Sequence, residues 1–101
     1  MKRYRLSPLA EFDLEEIWLY VAQDRGVAVA DRLIDVIDRR LRLLGTHPDA
    51  GRAREDILSG LRSSPVKSYI IYYRTSEPGV LVSRILHGKR DQEGVLDPKS
   101  S

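Results

Sequence analysis

Ten side chains in the second half of the chain are of the types that handle a phosphodiester without a metal. Arg62, Lys67, Arg74, Arg84, His87, Lys89 and Arg90 supply cations or an imidazole, and Tyr69, Tyr72 and Tyr73 supply phenols. Cleavage of RNA needs cations to hold the phosphate and stabilise charge building on it, and a tyrosine or histidine to move protons. Residue types alone do not say whether these groups converge. Other chemistries find no support. With no cysteine among 101 residues there is no thiolate zinc site, disulfide or cysteine nucleophile. His47 and His87 lie forty residues apart with no carboxylate at helical spacing, which gives no metal motif. Neither GxxxxGK[ST] nor GxGxxG occurs, and no nucleophile, base and orienting group stand in recognisable order. Metal-free RNA cleavage is the one catalytic chemistry that the residues leave open, and no metal or cofactor is expected.

The charge is unevenly placed. Residues 1–48 carry eight basic and eight acidic side chains, whereas residues 57–90 carry six lysines and arginines against Glu77 alone. A net charge of +2 therefore hides a basic second half. A solvated face explains such a bias as readily as a binding surface does.

The elements that must position these groups can be read from periodicity. Tyr4 and Leu6 alternate with Arg3 and Arg5, the pattern of a strand with one buried face. Ser7-Pro8 then offers a capping oxygen and a preset φ for a helix start. Ala10, Leu14, Ile17, Trp18 and Val21 share one stripe of that helix, which assigns Trp18 to the core, while Glu11, Asp13, Glu15 and Glu16 gather near its positive end. Gly26 closes it. Ala30, Leu33, Ile34, Ile37, Leu41 and Leu44 line a second helix ended by Gly45 and Pro48. Residues 47–60 are polar, and the region Glu55–Leu58 is compatible with either a short helical turn or a strand. Val66–Thr75 and Val80–His87 read as strands joined by the turn Ser76-Glu77-Pro78-Gly79, and Leu61–Ser64 allows a further one.

These elements make an α+β domain: an N-terminal strand, a two-helix hairpin, then an antiparallel meander, with the helices on one face of the sheet. Its size suffices for a single domain. The expected boundaries are 1–91 for the domain and 92–101 for a mobile tail. The opposite sheet face would be open and carry tyrosines and basic residues. Phe12 and Leu19, seven residues apart and off the main stripe, fit an exposed apolar edge suited to a partner and, equally, core packing against a strand. The opening residues lack an apolar signal core, and no window approaches 18 consecutive apolar residues, so a cytoplasmic protein with no membrane contact is expected.

Several segments in order resemble the ParE toxins of the RelE/ParE toxin-antitoxin superfamily: Tyr4-Arg5-Leu6-Ser7-Pro8-Leu9-Ala10, Asp13-Leu14-Glu15-Glu16-Ile17-Trp18-Leu19-Tyr20 and His47-Pro48-Asp49-Ala50-Gly51-Arg52. Gly60-Leu61-Arg62-Ser63, Tyr69-Ile70-Ile71-Tyr72-Tyr73-Arg74 and Arg84-Ile85-Leu86-His87-Gly88-Lys89-Arg90-Asp91 come after them. The resemblance implies a non-enzymatic toxin that inhibits DNA gyrase and is neutralised by a ParD-like antitoxin wrapping its C-terminal segment over the toxin. Nucleic acid would be met only through the antitoxin or the gyrase complex. On that basis Arg84, His87, Lys89 and Arg90 are assigned to the target, as a basic rim at the end of the last strand. Phe12, Leu19, Tyr72 and Arg74 are assigned to the antitoxin. The alternative is the RelE branch, which cleaves messenger RNA on the ribosome. Two departures weigh against it: Ile70 stands where ribonuclease members place an arginine, and no tyrosine comes after Arg90.

Overall fold

A computed structural model describes residues 2–88. Strand β1 (Tyr4–Leu6) leads through Ser7 into α1 (Pro8–Arg25), and α2 (Val27–Thr46) begins after Gly26 alone. A 3-10 turn at Pro48–Ala50 and β2 (Arg52–Ala53) precede β3 (Arg62–Val66), β4 (Tyr69–Ser76) and β5 (Gly79–His87). The five strands form one sheet in the order β1-β5-β4-β3-β2. The meander β3-β4-β5 is antiparallel as expected, but β1 runs parallel to β5, so the sheet is mixed.

Local chemistry explains the boundaries. Ser7 Oγ accepts from the Ala10 N–H at 3.1 Å and donates to the Ser83 carbonyl at 2.8 Å, capping α1 while tying its start to β5. Gly26 has φ +101°, a conformation that a side chain disfavours, and it turns the chain between two helices without a loop. Gly45 does not end α2 as the sequence suggests. It is buried inside the last turn, where an added Cβ would meet the Arg3 backbone at 2.8 Å; a glycine here answers a close approach, not a helix stop. Gly79 plays the same part across from β1. A Cβ there would run into the Arg3 carbonyl, which accepts from Val80 N–H at 2.9 Å.

The main core lies between helices and sheet, where Ile17, Ile37, Leu41, Leu44, Ile71, Val80, Val82 and Ile85 pack. Each such side chain contributes on the order of 1.5–3 kcal/mol when fully buried. The other sheet face is less open than expected. The segment 54–61 folds back over it, placing Ile57, Leu58 and Leu61 against Tyr72, Ile70 and Leu86. Trp18 belongs to neither core. It is half-buried and donates from Nε1 to Asp31 at 2.8 Å, clasping α1 to α2.

Candidate functional site

Along the hairpin the two helices and the end of the sheet leave a groove of about 1140 Å³. Phe12, Ile17 and Tyr20 of α1 form one wall, Val29, Leu33 and Val36 of α2 the other, and Tyr69 and Ile85 lie at its base. Apolar residues are therefore on both walls and the floor, interspersed with the charged side chains of Asp13, Glu16, Asp24, Arg25, Arg32, Lys67 and Arg84.

The charge at the base is already satisfied. Asp13 is 8% exposed, and it is held by a fork from Arg84, Nε to Oδ2 at 2.8 Å and Nη2 to Oδ1 at 3.0 Å. The Ile85 N–H donates to the same carboxylate at 2.9 Å. These bonds sit beside a bulge in the β4–β5 ladder between Tyr72 and Tyr73, where the strand pairing slips by a residue. The hydrogen bond to Asp13 raises the Arg84 pKa further, so the guanidinium stays charged. Asp13 thus joins α1 to β5 and is not one of the acids that merely complement the helix start. A signal for this was present: positions 10, 13, 14 and 17 share one helical stripe, so a carboxylate inside it required a buried partner.

A second joint lies at the β1 edge of the sheet. The Tyr4 hydroxyl donates to Asp38 of α2, which also receives Arg42 Nε at 2.8 Å. Burial, with the Asp38 hydrogen bond adding to it, pushes the Tyr4 pKa up to about 12. Burial would raise Asp38 as well, but the hydrogen bonds from Tyr4 and Arg42 outweigh it and hold the carboxyl below its ordinary value. A third joint is Tyr73. Its hydroxyl accepts from Gly51 N–H at 2.8 Å and donates to the Pro48 carbonyl at 2.8 Å. Burial raises its pKa even against that Gly51 bond.

Within this framework the expected site residues separate. Phe12 and Leu19 are exposed, at 56% and 46%, joined by Leu9 and Tyr20, which periodicity alone does not single out. Phe12 lines the groove and Leu19 is not among its lining residues. Tyr72 is fully buried under Leu61, so it presents no surface to an antitoxin. Its phenol pKa is raised by burial, against the opposing Arg54 guanidinium. Arg74 is exposed, and it does not line the groove. Arg84 does not stand on a free rim, because its fork is committed to Asp13. His87 is half-buried, edge-on to the Tyr69 ring at 5.4 Å. Lys89, Arg90 and the expected tail lie outside the described residues.

The ten phosphodiester-type residues are likewise divided. Lys67, Tyr69, Arg84 and His87 line the groove; Arg62, Tyr72, Tyr73 and Arg74 do not. Arg62 is turned to the Gly51 carbonyl at 2.7 Å and lies 3.5 Å from Asp49. Among the described residues no group of three or more histidines, cysteines or carboxylates is placed to hold a metal ion. No helix among them is long and apolar enough to cross a membrane.

Fold and groove together define a class: a small two-layer α+β domain whose helix hairpin leaves a cleft of apolar and charged side chains against the sheet. Residues 4–92 match the model of the ParE toxin of type II toxin-antitoxin systems, parDE. The chain belongs to that family. It is 33% identical over 87 residues to Toxin ParE1 of Caulobacter vibrioides, covering 86% of this chain and 90% of that protein. It is 33% identical over 90 residues to Toxin ParE1 of Mycobacterium tuberculosis, covering 88% and 92%. Toxin RelE3 of Caulobacter vibrioides matches at 34% identity, covering 86% of this chain and 95% of that protein. A solved structure of the chromosomal ParDE toxin-antitoxin system from P. aeruginosa shares the fold, with a TM-score of 0.73 at 20% identity over 86% of this chain and 96% of that one.

Proposed function

We propose that this chain is a non-enzymatic cytoplasmic toxin that inhibits DNA gyrase and is held inactive by a ParD-like antitoxin lying in the groove. The observation that carries the antitoxin part is the groove itself. Apolar side chains stand on both walls among charged ones, Phe12 and Tyr20 of that lining stay exposed, and the charge at its base is consumed by the Asp13–Arg84 fork. Such a surface suits an amphipathic segment with apolar anchors better than it suits a reacting phosphate. The phenols of Tyr72 and Tyr73 are buried, and Arg62 and Arg84 are engaged within the fold, which favours inhibition by binding over RNA cleavage.

The proposed target contact is the end of β5 with the two cations just beyond it: His87, Lys89 and Arg90. A cation that becomes desolvated against phosphate or acidic surface adds on the order of 2 kcal/mol or more, whereas one on a wet rim adds little. Purified protein in a gyrase supercoiling and cleavage assay is expected to trap cleaved DNA. Joint replacement Lys89→Ala and Arg90→Ala is expected to abolish trapping while antitoxin affinity and fold stay near wild type. A double variant that still traps cleaved DNA would remove these residues from the target contact.

The match to Toxin RelE3 gives the ribonuclease alternative a specific reason to be tested. Incubation with translating ribosomes and messenger RNA separates the two. Codon-linked cleavage that disappears in Arg90→Ala would replace gyrase inhibition as the reading.

A further inference from the structure

Lys67 stands in the two-residue turn between β3 and β4, where Val66 pairs with Tyr69, and its φ is +53°. That is the left-handed region, in which a Cβ crowds the following carbonyl and which glycine or asparagine fills far more readily. Among the described non-glycine residues, Lys67 alone has a positive φ. A residue kept in a disfavoured conformation points to a use for its side chain.

The surroundings indicate what that use is. Lys67 lines the mouth of the groove, and no ion pair engages it among the described residues. Arg32 of α2 is a second exposed cation lining the groove without an ion pair. The α1 side carries Glu16 and Asp24, the latter 3.7 Å from Arg25, while Asp13 and Arg84 neutralise each other at the base. Lys67 and Arg32 thus leave positive charge on the side of α2 and the β3–β4 turn, while the α1 side carries Glu16, Asp24 and Arg25. A polyanion such as RNA would meet Glu16 and Asp24, whereas one carboxylate on an otherwise apolar segment can reach the cations alone.

We propose that Lys67 selects the charge of the groove's occupant: its ammonium receives an acidic side chain of the antitoxin segment whose apolar residues seat against Phe12, Ile17 and Leu33. This rests on the reading of the groove as the antitoxin site. A rim charge pair of this kind acts on partner choice and on salt dependence more than on the fold.

Replacement by glycine separates the side chain's role from the backbone's, because glycine relieves the left-handed conformation. The probe is the protein encoded by the reading frame beside this gene, titrated into the full chain at low and high salt. Melting of the toxin alone is measured in parallel. Lys67→Gly is expected to leave the melting temperature unchanged or higher, to weaken binding about 10-fold, and to reduce its salt dependence. Lys67→Glu is expected to weaken it about 100-fold, with recovery when one partner carboxylate is changed to lysine. Binding of Lys67→Gly within twofold of wild type, or a loss of stability matching the loss of affinity, overturns the role of Lys67 and leaves the groove reading standing. A neighbouring-frame protein that fails to bind the wild-type chain, or binds Phe12→Ser as tightly, overturns the groove reading and the charge selection with it.

Discussion

The base of the groove and its rim are built from the same kinds of side chain and do opposite work. At the base, Asp13 and Arg84 are paired, shielded and complemented by the Ile85 N–H. At the rim, Lys67 and Arg32 have no ion pair among the described residues, and Phe12 is more than half exposed. A charge whose hydrogen bonds are already made inside the fold has little left to offer a ligand, and removing its partner damages the fold. An exposed charge or ring can be removed at little cost to the fold and at a large cost to whatever docks on it. Charge type therefore says little about function until burial and partners are known.

The sharpest way to break this contrast is at the base. Asp13→Ala leaves Arg84 uncompensated and the Ile85 N–H without its acceptor. Breaking a buried pair typically costs about 3–5 kcal/mol, and because Arg84 keeps some solvent contact about 3 kcal/mol is expected here. Thermal melting should fall by about 12 °C or more for a domain of this size. Asp13→Ala with Arg84→Met should recover part of that loss by removing the stranded charge. An Asp13→Ala protein that melts like wild type would show that the fork is incidental to the fold.

The rim gives the converse expectation. Phe12→Ser together with Leu19→Ser should change stability by no more than about 1 kcal/mol, since both side chains are about half exposed. Loss of affinity for the antitoxin should reach about 1.5 kcal/mol, the range of a moderate interface anchor. Calorimetric binding and denaturant unfolding on the same variant check both halves. Unfolding of the double variant would mean that the exposed edge supports the fold after all.

The smallest effect sharpens the comparison by asking whether every helix-to-sheet joint behaves like Asp13–Arg84. The Tyr4–Asp38 joint lies at the sheet edge and titrates. Tyr4 has its pKa raised from 10.0 to about 12, so its contribution is full below pH 10 and is lost as pH rises toward about 12. Asp38 is shifted down, so its contribution is present at neutral pH and is lost as acid protonates it. Tyr4→Phe should flatten the alkaline limb of the stability profile between pH 10 and about 12, with little change at neutral pH beyond the lost hydrogen bond. An unchanged alkaline limb would place the tyrosine that sets it elsewhere.

Much of the architecture was legible along the chain because its causes are local. Ser7-Pro8 caps α1, Gly26 breaks the hairpin, and the Ile and Tyr run of β4 alternates between two covered faces. Periodicity also placed Phe12 and Leu19 outside the main stripe, where the fold leaves them exposed. What only the tertiary structure decided involves residues far apart in sequence. Asp13 and Arg84 are separated by 71 positions, and no spacing rule joins them. Gly45 looks like a helix stop until the Arg3 backbone is seen against it. Tyr72 looks like a surface tyrosine until the segment carrying Leu61 folds over it. Lys67 reads as part of a strand Val66–Thr75 until the fold puts it in the turn between β3 and β4 with a positive φ. Hydrophobic period and capping act within a turn or two of chain, so one sequence is enough to read them. Burial of a charge, close backbone approach and the sign of φ depend on what the rest of the fold brings alongside, and those partners exist only once the chain has closed on itself.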